Sequence, residues 1–277
     1  MKVIFQRKKE MNNTFINIML KISFFNIKKE MSKSLDYRIW LNTYMKALFV
    51  LARTYNPKDE YTKMAMKCFI ESLANVLPDI NFVNEFQNFI NPNVYVINHI
   101  TQSMKTFFDT YKDFKYQLET NPQTFFEFCL QSDFTLFSWV YLLDGYIKTL
   151  FNKAGHNIEI KPFNELYMQV YNPNYLDKAD WGNPVWFIIH ITPLYSQGSS
   201  LDVYNNLKAM LSCLRFVLPC QKCQMHLADN LSKIDIDNCA HSRDELFKCT
   251  WELHNIVNKD LNKYQPTLEE AKNMYMF

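Results

Sequence analysis

Leu218-Pro219-Cys220-Gln221-Lys222-Cys223-Gln224-Met225-His226 places two cysteines three residues apart, with a proline before them and a histidine after. The proline marks a helix start, so both thiols fall at a helix N-terminus. The positive end of the helix dipole favours thiolate there, and dithiol exchange needs thiolate. C-x-x-C at a helix start is also a metal-binding geometry. The pair therefore reads as a redox disulfide or as half of a zinc site. For zinc, Cys220, Cys223 and His226 would need help from Cys239 and His241, but His226 lies three past Cys223 on the same helix and Cys-x-His is an uncommon second half. A thioredoxin-like protein would set the pair in a β-α-β unit, and the sequence offers no strands.

Two flanking stretches sharpen the choice. Upstream, Gly182, Trp186 and His190 recur every four residues and share one helix face: a gap, a flat aromatic wall and a polar tip. Downstream, Trp251 to Asn258 carries His254, Asn255 and Asn258 on adjoining faces, with Leu253, Val257 and Leu261 packing beside them. Asparagine is a mediocre helix former, so two of them beside a mid-helix histidine suggest a polar cluster aimed at a ligand.

The rest of the chain is helical in pattern. The hydrophobic fraction is 48% and the aromatic fraction 16%, which excludes a disordered chain, and only 4 glycines among 277 residues disfavour glycine-rich nucleotide folds. A net charge of +2 points to no polyanion, and the basic residues Lys28, Lys29, Lys33 and Arg38 are too thin for a nucleic-acid patch. No apolar run reaches the ~18 residues of a membrane span. The Phe15–Phe25 stretch, interrupted by Asn17 and Lys21, is a poor signal peptide, so export is not expected. Residues 1–33 alternate basic and apolar patches and read as a helical arm or as a partly ordered segment. Apolar stripes at three and four then predict helices from Leu35 to Asn56, Met64 to Val76, Asn81 to Ile90, Val94 to Leu118 and Leu136 to Phe151. The last is apolar nearly all round and belongs at a core centre. His99 reads as a hydrogen-bonded structural histidine, and Cys68 and Cys129 as small hydrophobes.

Composition shifts at Ala154-Gly155-His156-Asn157. This divides a helical N-terminal domain, residues 1–160, read as a structural, dimerisation or partner-docking unit, from a second domain, residues 161–277. Four helices are expected in the second: Asn183/Pro184 to Pro193, Ser200 to Leu218, Cys220 to Leu231 and Ser242 to Tyr264. A short fifth runs from Leu268 to Met276. Ser242 and Glu245 have capping-box spacing. Ten residues and a helix start separate Cys239 from Cys249, which argues against a bridge between them.

Taken in order, Gly182-x-x-x-Trp186-x-x-x-His190, Pro219-Cys220-x-x-Cys223 and His254-Asn255-x-Val257-Asn258 resemble the Erv/ALR family of FAD-linked sulfhydryl oxidases, over roughly residues 170–265. The long helical N-terminal half is similar to the baculovirus-type oxidases of large insect DNA viruses. The resemblance implies an all-α fold, with a C-terminal four-helix bundle plus a short fifth helix binding FAD. It implies that Cys220 and Cys223 are catalytic, Cys220 meeting substrate thiols and Cys223 facing the flavin. It places Gly182, Trp186, His190, His226, His254, Asn255, Val257 and Asn258 around the cofactor, and brings Asn262 and Lys263 toward its phosphates. It further implies thiol-containing substrate proteins, O2 as acceptor with H2O2 as product, a homodimer, and a place in the host cytoplasm or nucleus and in virions. No metal is expected. The alternative reading is a zinc-stabilised helical adaptor without redox activity. Two family features are missing: no cysteine follows Cys249, and no cysteine pair is placed to act as a shuttle.

Overall fold

The computed structural model describes residues 35–172 and 178–277. The expected arm over residues 1–33 and the signal-like Phe15–Phe25 stretch lie outside the described residues. Among those described the chain is helical, without strands. In the N-terminal half α1 is Tyr37–Thr54, α2 Glu60–Ala74, α3 Ile80–Ile90, α4 Val94–Ser103, α5 Lys105–Thr110, α6 Lys112–Thr120, α7 Phe125–Cys129, α8 Asp133–Lys153 and α9 Phe163–Val170. The C-terminal half holds α10 Lys178–Tyr195, α11 Ser200–Val217, α12 Gln221–Leu231, α13 Arg243–Asp260 and α14 Leu268–Tyr275. No helix among the described residues is long and apolar enough to cross a membrane.

α8 is the central rod of the N-terminal half. It is buried on all sides from Leu136 through Ile147, as a helix apolar nearly all round requires, and the buried Asp144 carboxylate within it accepts from Lys148 Nζ at 2.7 Å. Its glycine has a specific use: the Met104 thioether lies where a Cβ on Gly145 would be. Met104 is also where the expected Val94–Leu118 helix breaks into α4, α5 and α6, with a second break at Tyr111. No proline or glycine marks these breaks. They turn Phe107, Tyr111 and Phe114 inward, and the Phe107 ring meets those of Tyr141 and Phe163 at 5.5 and 5.1 Å. Tertiary aromatic packing has overridden a continuous helical stripe.

α10 begins at Lys178, before the expected start at Asn183/Pro184, and runs past Pro193. Two internal prolines each forfeit a ladder hydrogen bond. Burial of Trp181, Val185, Ile188, Ile189 and Ile191 along the same helix holds it together by packing. α10, α11, α12 and α13 close into a four-helix bundle, each touching the next and α13 returning to α10, with α14 resting on α10 and α13. The capping box Ser199/Asp202 starts α11 and Thr267/Glu270 starts α14.

α2 lies along α11 and α1 along α10, and one continuous apolar core runs through both halves. Buried Ser196 donates to the Val76 carbonyl at 2.5 Å, and Asn75 donates to Asn206 at 3.0 Å across the same contact. The scaffold that presents α10 and α11 to the rest of the bundle is therefore partly built by the N-terminal helices.

The spacing that argues against a bridge does not keep Cys239 and Cys249 apart. They form a disulfide with Cα atoms 6.4 Å apart. The turn Ile236–Cys239, a short 3-10 helix that no sequence periodicity announces, folds back under α13 and brings Cys239 to the buried face that carries Cys249. With Cys239 committed to Cys249, the zinc reading loses one of its proposed ligands. Among the described residues no group of three or more histidine, cysteine or carboxylate side chains converges.

Candidate functional site

α12 begins at the cysteine motif. Cys220 is its N-cap residue, with extended backbone, and its sulfur accepts a hydrogen bond from the Cys223 N–H at 3.2 Å. Sulfur thus takes the place that a serine or aspartate oxygen usually holds, where the helix end favours negative charge. Both sulfur-bearing residues are half-buried. The turn before them is fixed by Gln224, whose side-chain amide donates to the carbonyls of Phe216 at 3.2 Å and Leu218 at 2.8 Å.

The second part of the site lies between α10 and α13. Four-residue spacing puts Trp186 and His190 one turn apart on α10, and Thr250 and His254 one turn apart on α13. The rings interleave. Trp186 stacks on His254 with centroids 4.0 Å apart and planes 5° from parallel. His190 Nε2 lies 2.8 Å from His254 Nδ1, and His190 Nδ1 lies 3.0 Å from the Thr250 hydroxyl. His190 is buried, and burial, followed by the neighbouring His254, pushes its pKa well below the ordinary imidazole value. For His254 burial is again the main cause, with Lys263 second, and its pKa falls to about 4. Both rings are neutral at physiological pH. Tyr275, delivered by α14, packs on the other side of His190 at 4.7 Å.

Asn255 donates from Nδ2 to the Pro266 carbonyl at 3.0 Å, and the Trp251 indole N–H donates to the same oxygen at 2.7 Å. The Asn255 Oδ1 is buried without a hydrogen-bond partner. An orphaned buried amide oxygen is costly and points to a missing donor. Asn258 is buried beside it, and Val257 is half-buried. Asn262 adopts φ +52°, the left-handed conformation that asparagine tolerates better than most residues. The Asn262 N–H donates to the Lys259 carbonyl at 3.1 Å and the Lys263 N–H to the Asn258 carbonyl at 2.8 Å, a Schellman stop for α13. Asn262 thereby ends the helix, and Lys263 stands exposed close enough to bear on His254. At Gly182 an added Cβ would meet only open space, so nothing within the chain itself demands glycine there.

Trp186, His190 and His254 are thus brought into direct contact, with Asn255 and Asn258 on the same helix and Lys263 at its end. His226 is not brought in: it is exposed on α12 and makes no ring contact with this group. Thr250 and Tyr275 went unnoticed in the sequence. Thr250 carries a readable signal, because it sits four residues before His254. Tyr275 carries none, since only the docking of α14 places it. A cavity of about 340 Å3 in the N-terminal half, between Phe107, Tyr111, Tyr141 and Phe163, is lined by none of these residues.

The Erv1/Alr family model matches residues 183–276, the span from α10 to α14. A protein of Acanthamoeba polyphaga mimivirus, named for FAD-linked sulfhydryl oxidase activity, is 33% identical over 98 residues, which are 35% of this chain and 68% of that protein. The chain belongs to the Erv1/Alr family. A similarly named relative in Invertebrate iridescent virus 3 is 33% identical over 91 residues, 32% of this chain. One in Frog virus 3 is 30% identical over 101 residues, 35% of this chain and 67% of that protein. The match spans 62% of the iridescent virus protein, short of two thirds of its length. No solved structure matches the chain significantly. Within this Erv1/Alr chain the family match covers both the cysteine motif and the histidine pair, and leaves α1 to α9 outside it.

Proposed function

We propose that this protein is an FAD-dependent thiol oxidase that forms disulfide bonds in substrate proteins. The observation that carries the proposal is the Trp186–His254–His190 stack on the same four-helix bundle that presents Cys220 and Cys223 at a helix N-terminus. The residues fit an FAD dinucleotide. They offer a flat aromatic face, a ring nitrogen at the outer edge of His254, the unpaired Asn255 carbonyl and the Lys263 ammonium for a phosphate. Gly182 leaves open space on the same helix.

The chain's own steps follow from thiol chemistry. A substrate thiolate attacks Cys220 Sγ of the Cys220–Cys223 disulfide, and Cys223 leaves as thiolate. The second substrate thiolate then attacks the substrate sulfur of the mixed disulfide. The substrate departs with one new disulfide, and Cys220 leaves as thiolate into the Cys223 N–H and the helix dipole, which lowers the barrier to release. Two electrons and two protons have now passed to the cysteine pair. When bound, FAD supplies the acceptor that takes this electron pair onward to O2, giving H2O2.

The relatives are viral proteins, and the reading extends to disulfides of virion proteins formed in the host cytoplasm or nucleus, while the family resemblance supports a homodimer. For the N-terminal half the proposal is structural, since α1 and α2 already cover α10 and α11. The test is oxygen uptake by the purified full chain on dithiothreitol, with peroxide measured in parallel. Uptake with stoichiometric peroxide, abolished in Cys220→Ser and in Cys223→Ser, is expected. Uptake that survives both substitutions, or none from a flavin-loaded wild type, overturns the proposal.

A further inference from the structure

The hydrogen bonds around His190 fix where each proton sits. Thr250 has one hydroxyl proton, and its Oγ1 lies 2.7 Å from the Phe247 carbonyl oxygen. Two oxygens that close need a proton between them, so Thr250 donates to Phe247. With that proton committed, Oγ1 meets His190 Nδ1, 3.0 Å away, as an acceptor, and Nδ1 must carry hydrogen. His190 is neutral, so its Nε2 is a lone pair. The contact of 2.8 Å to His254 Nδ1 then requires hydrogen on that Nδ1. His254 is neutral as well, so its own Nε2 is a lone pair. That nitrogen is bonded to no group among the described residues, and Trp186, parallel to the ring at 4.0 Å, fixes the plane in which it points.

We propose that Thr250 is a positioning residue that sets both histidine tautomers, so that the site offers an acceptor at His254 Nε2 and selects a planar ligand edge that donates a hydrogen bond: an amino-purine over an oxo-purine. The inference rests on the dinucleotide reading above and adds specificity to it. In FAD the donor is the exocyclic amine of the adenine. The oxo counterpart puts a carbonyl oxygen at the same place, acceptor against acceptor, and a site built for a donor rejects such an analogue strongly. In Thr250→Val nothing accepts from His190 Nδ1. The favoured arrangement reverses: His190 carries hydrogen on Nε2, His254 Nδ1 accepts, and His254 Nε2 becomes a donor.

The test uses the full-length chain freed of flavin and titrated with FAD and with its hypoxanthine counterpart. Nitrogen-15 NMR of labelled histidine reads the tautomers in parallel. The expected result is an FAD dissociation constant about tenfold or more below that of the counterpart, about 1.4 kcal/mol or more, with both rings in the Nδ1–H form. In Thr250→Val the ratio should fall to near one or invert, with both rings in the Nε2–H form, and Thr250→Ser should restore both readouts. Equal affinities in a wild type that binds FAD tightly overturn the proposal and leave the flavin reading standing. Thr250→Val that weakens both ligands equally without moving the tautomers makes Thr250 a packing residue only, which also overturns it. Binding of neither dinucleotide overturns the proposal together with the reading on which it rests.

Discussion

Two neutral histidines in contact, His190 buried and His254 half-buried, should make this fold sensitive to mild acid. Burial, with Lys263 nearby, holds His254 at about 4, against about 6.5 for an imidazole in water. A histidine depressed in the folded state stabilises it above the unfolded value, and that stability is lost as pH falls from 6.5 towards 4. At pH 5 the unfolded chain binds a proton at His254 about 97% of the time and the folded chain about 10%. The difference is a loss of about 2 kcal/mol between pH 7.5 and pH 5. His190, more deeply buried, adds a loss of the same sign. At 2–4 °C per kcal/mol the His254 share alone lowers the melting midpoint by about 4–8 °C. The assay is thermal unfolding of wild type and His254→Phe at pH 7.5 and pH 5.0. Phenylalanine keeps a ring beside Trp186 and cannot titrate. Its acid-induced drop should be smaller than that of wild type by about 2 kcal/mol. His99, also buried and depressed, is present in both proteins and cancels. Identical drops in the two proteins would refute the neutral histidine pair.

Other outcomes follow from the same contacts. Removing the Cys239–Cys249 bridge as the double alanine variant should cost about 2.5–3 kcal/mol for a ten-residue loop, a midpoint drop of roughly 5–12 °C under non-reducing conditions. Asn262→Ala forces an alanine into the left-handed region and should cost about 1 kcal/mol, read by urea unfolding, whereas Asn262→Gly should be near neutral. Gln224→Ala releases the Phe216 and Leu218 carbonyls and loosens the turn before Cys220, so thiol turnover should fall several-fold while flavin content stays unchanged.

The C-terminal half was largely legible because its signals are local. Pro219 and the cysteine spacing gave the start of α12. The four-residue intervals from Gly182 to His190, and the run His254 to Asn258, gave the faces of α10 and α13. What stayed hidden depends on contacts distant in sequence. The bridge between Cys239 and Cys249 needs a 3-10 turn that has no periodicity to read. Tyr275 reaches His190 only after α14 docks. The helix expected from Val94 to Leu118 breaks at Met104 and Tyr111 because inward aromatic packing outweighs a continuous ladder, and neither position carries a breaker residue. Trp181, Val185 and Ile188, buried along α10, keep that helix running through Pro184 and Pro193, where proline alone suggests its ends. The resemblance points Asn262 and Lys263 toward a ligand, and the structure adds that Asn262 ends α13 by its backbone conformation, which sets Lys263 near His254.

The most direct test of the proposed thiol oxidase activity is the visible absorption spectrum of the purified protein, before and after dithiothreitol is added under air. The expected result is a bound-flavin spectrum that bleaches with dithiothreitol and recovers as oxygen is consumed, and that no longer responds to the dithiol in Cys220→Ser or Cys223→Ser. A folded protein that stays colourless after incubation with FAD, or a flavin whose bleaching is unaffected by loss of either cysteine, would contradict it.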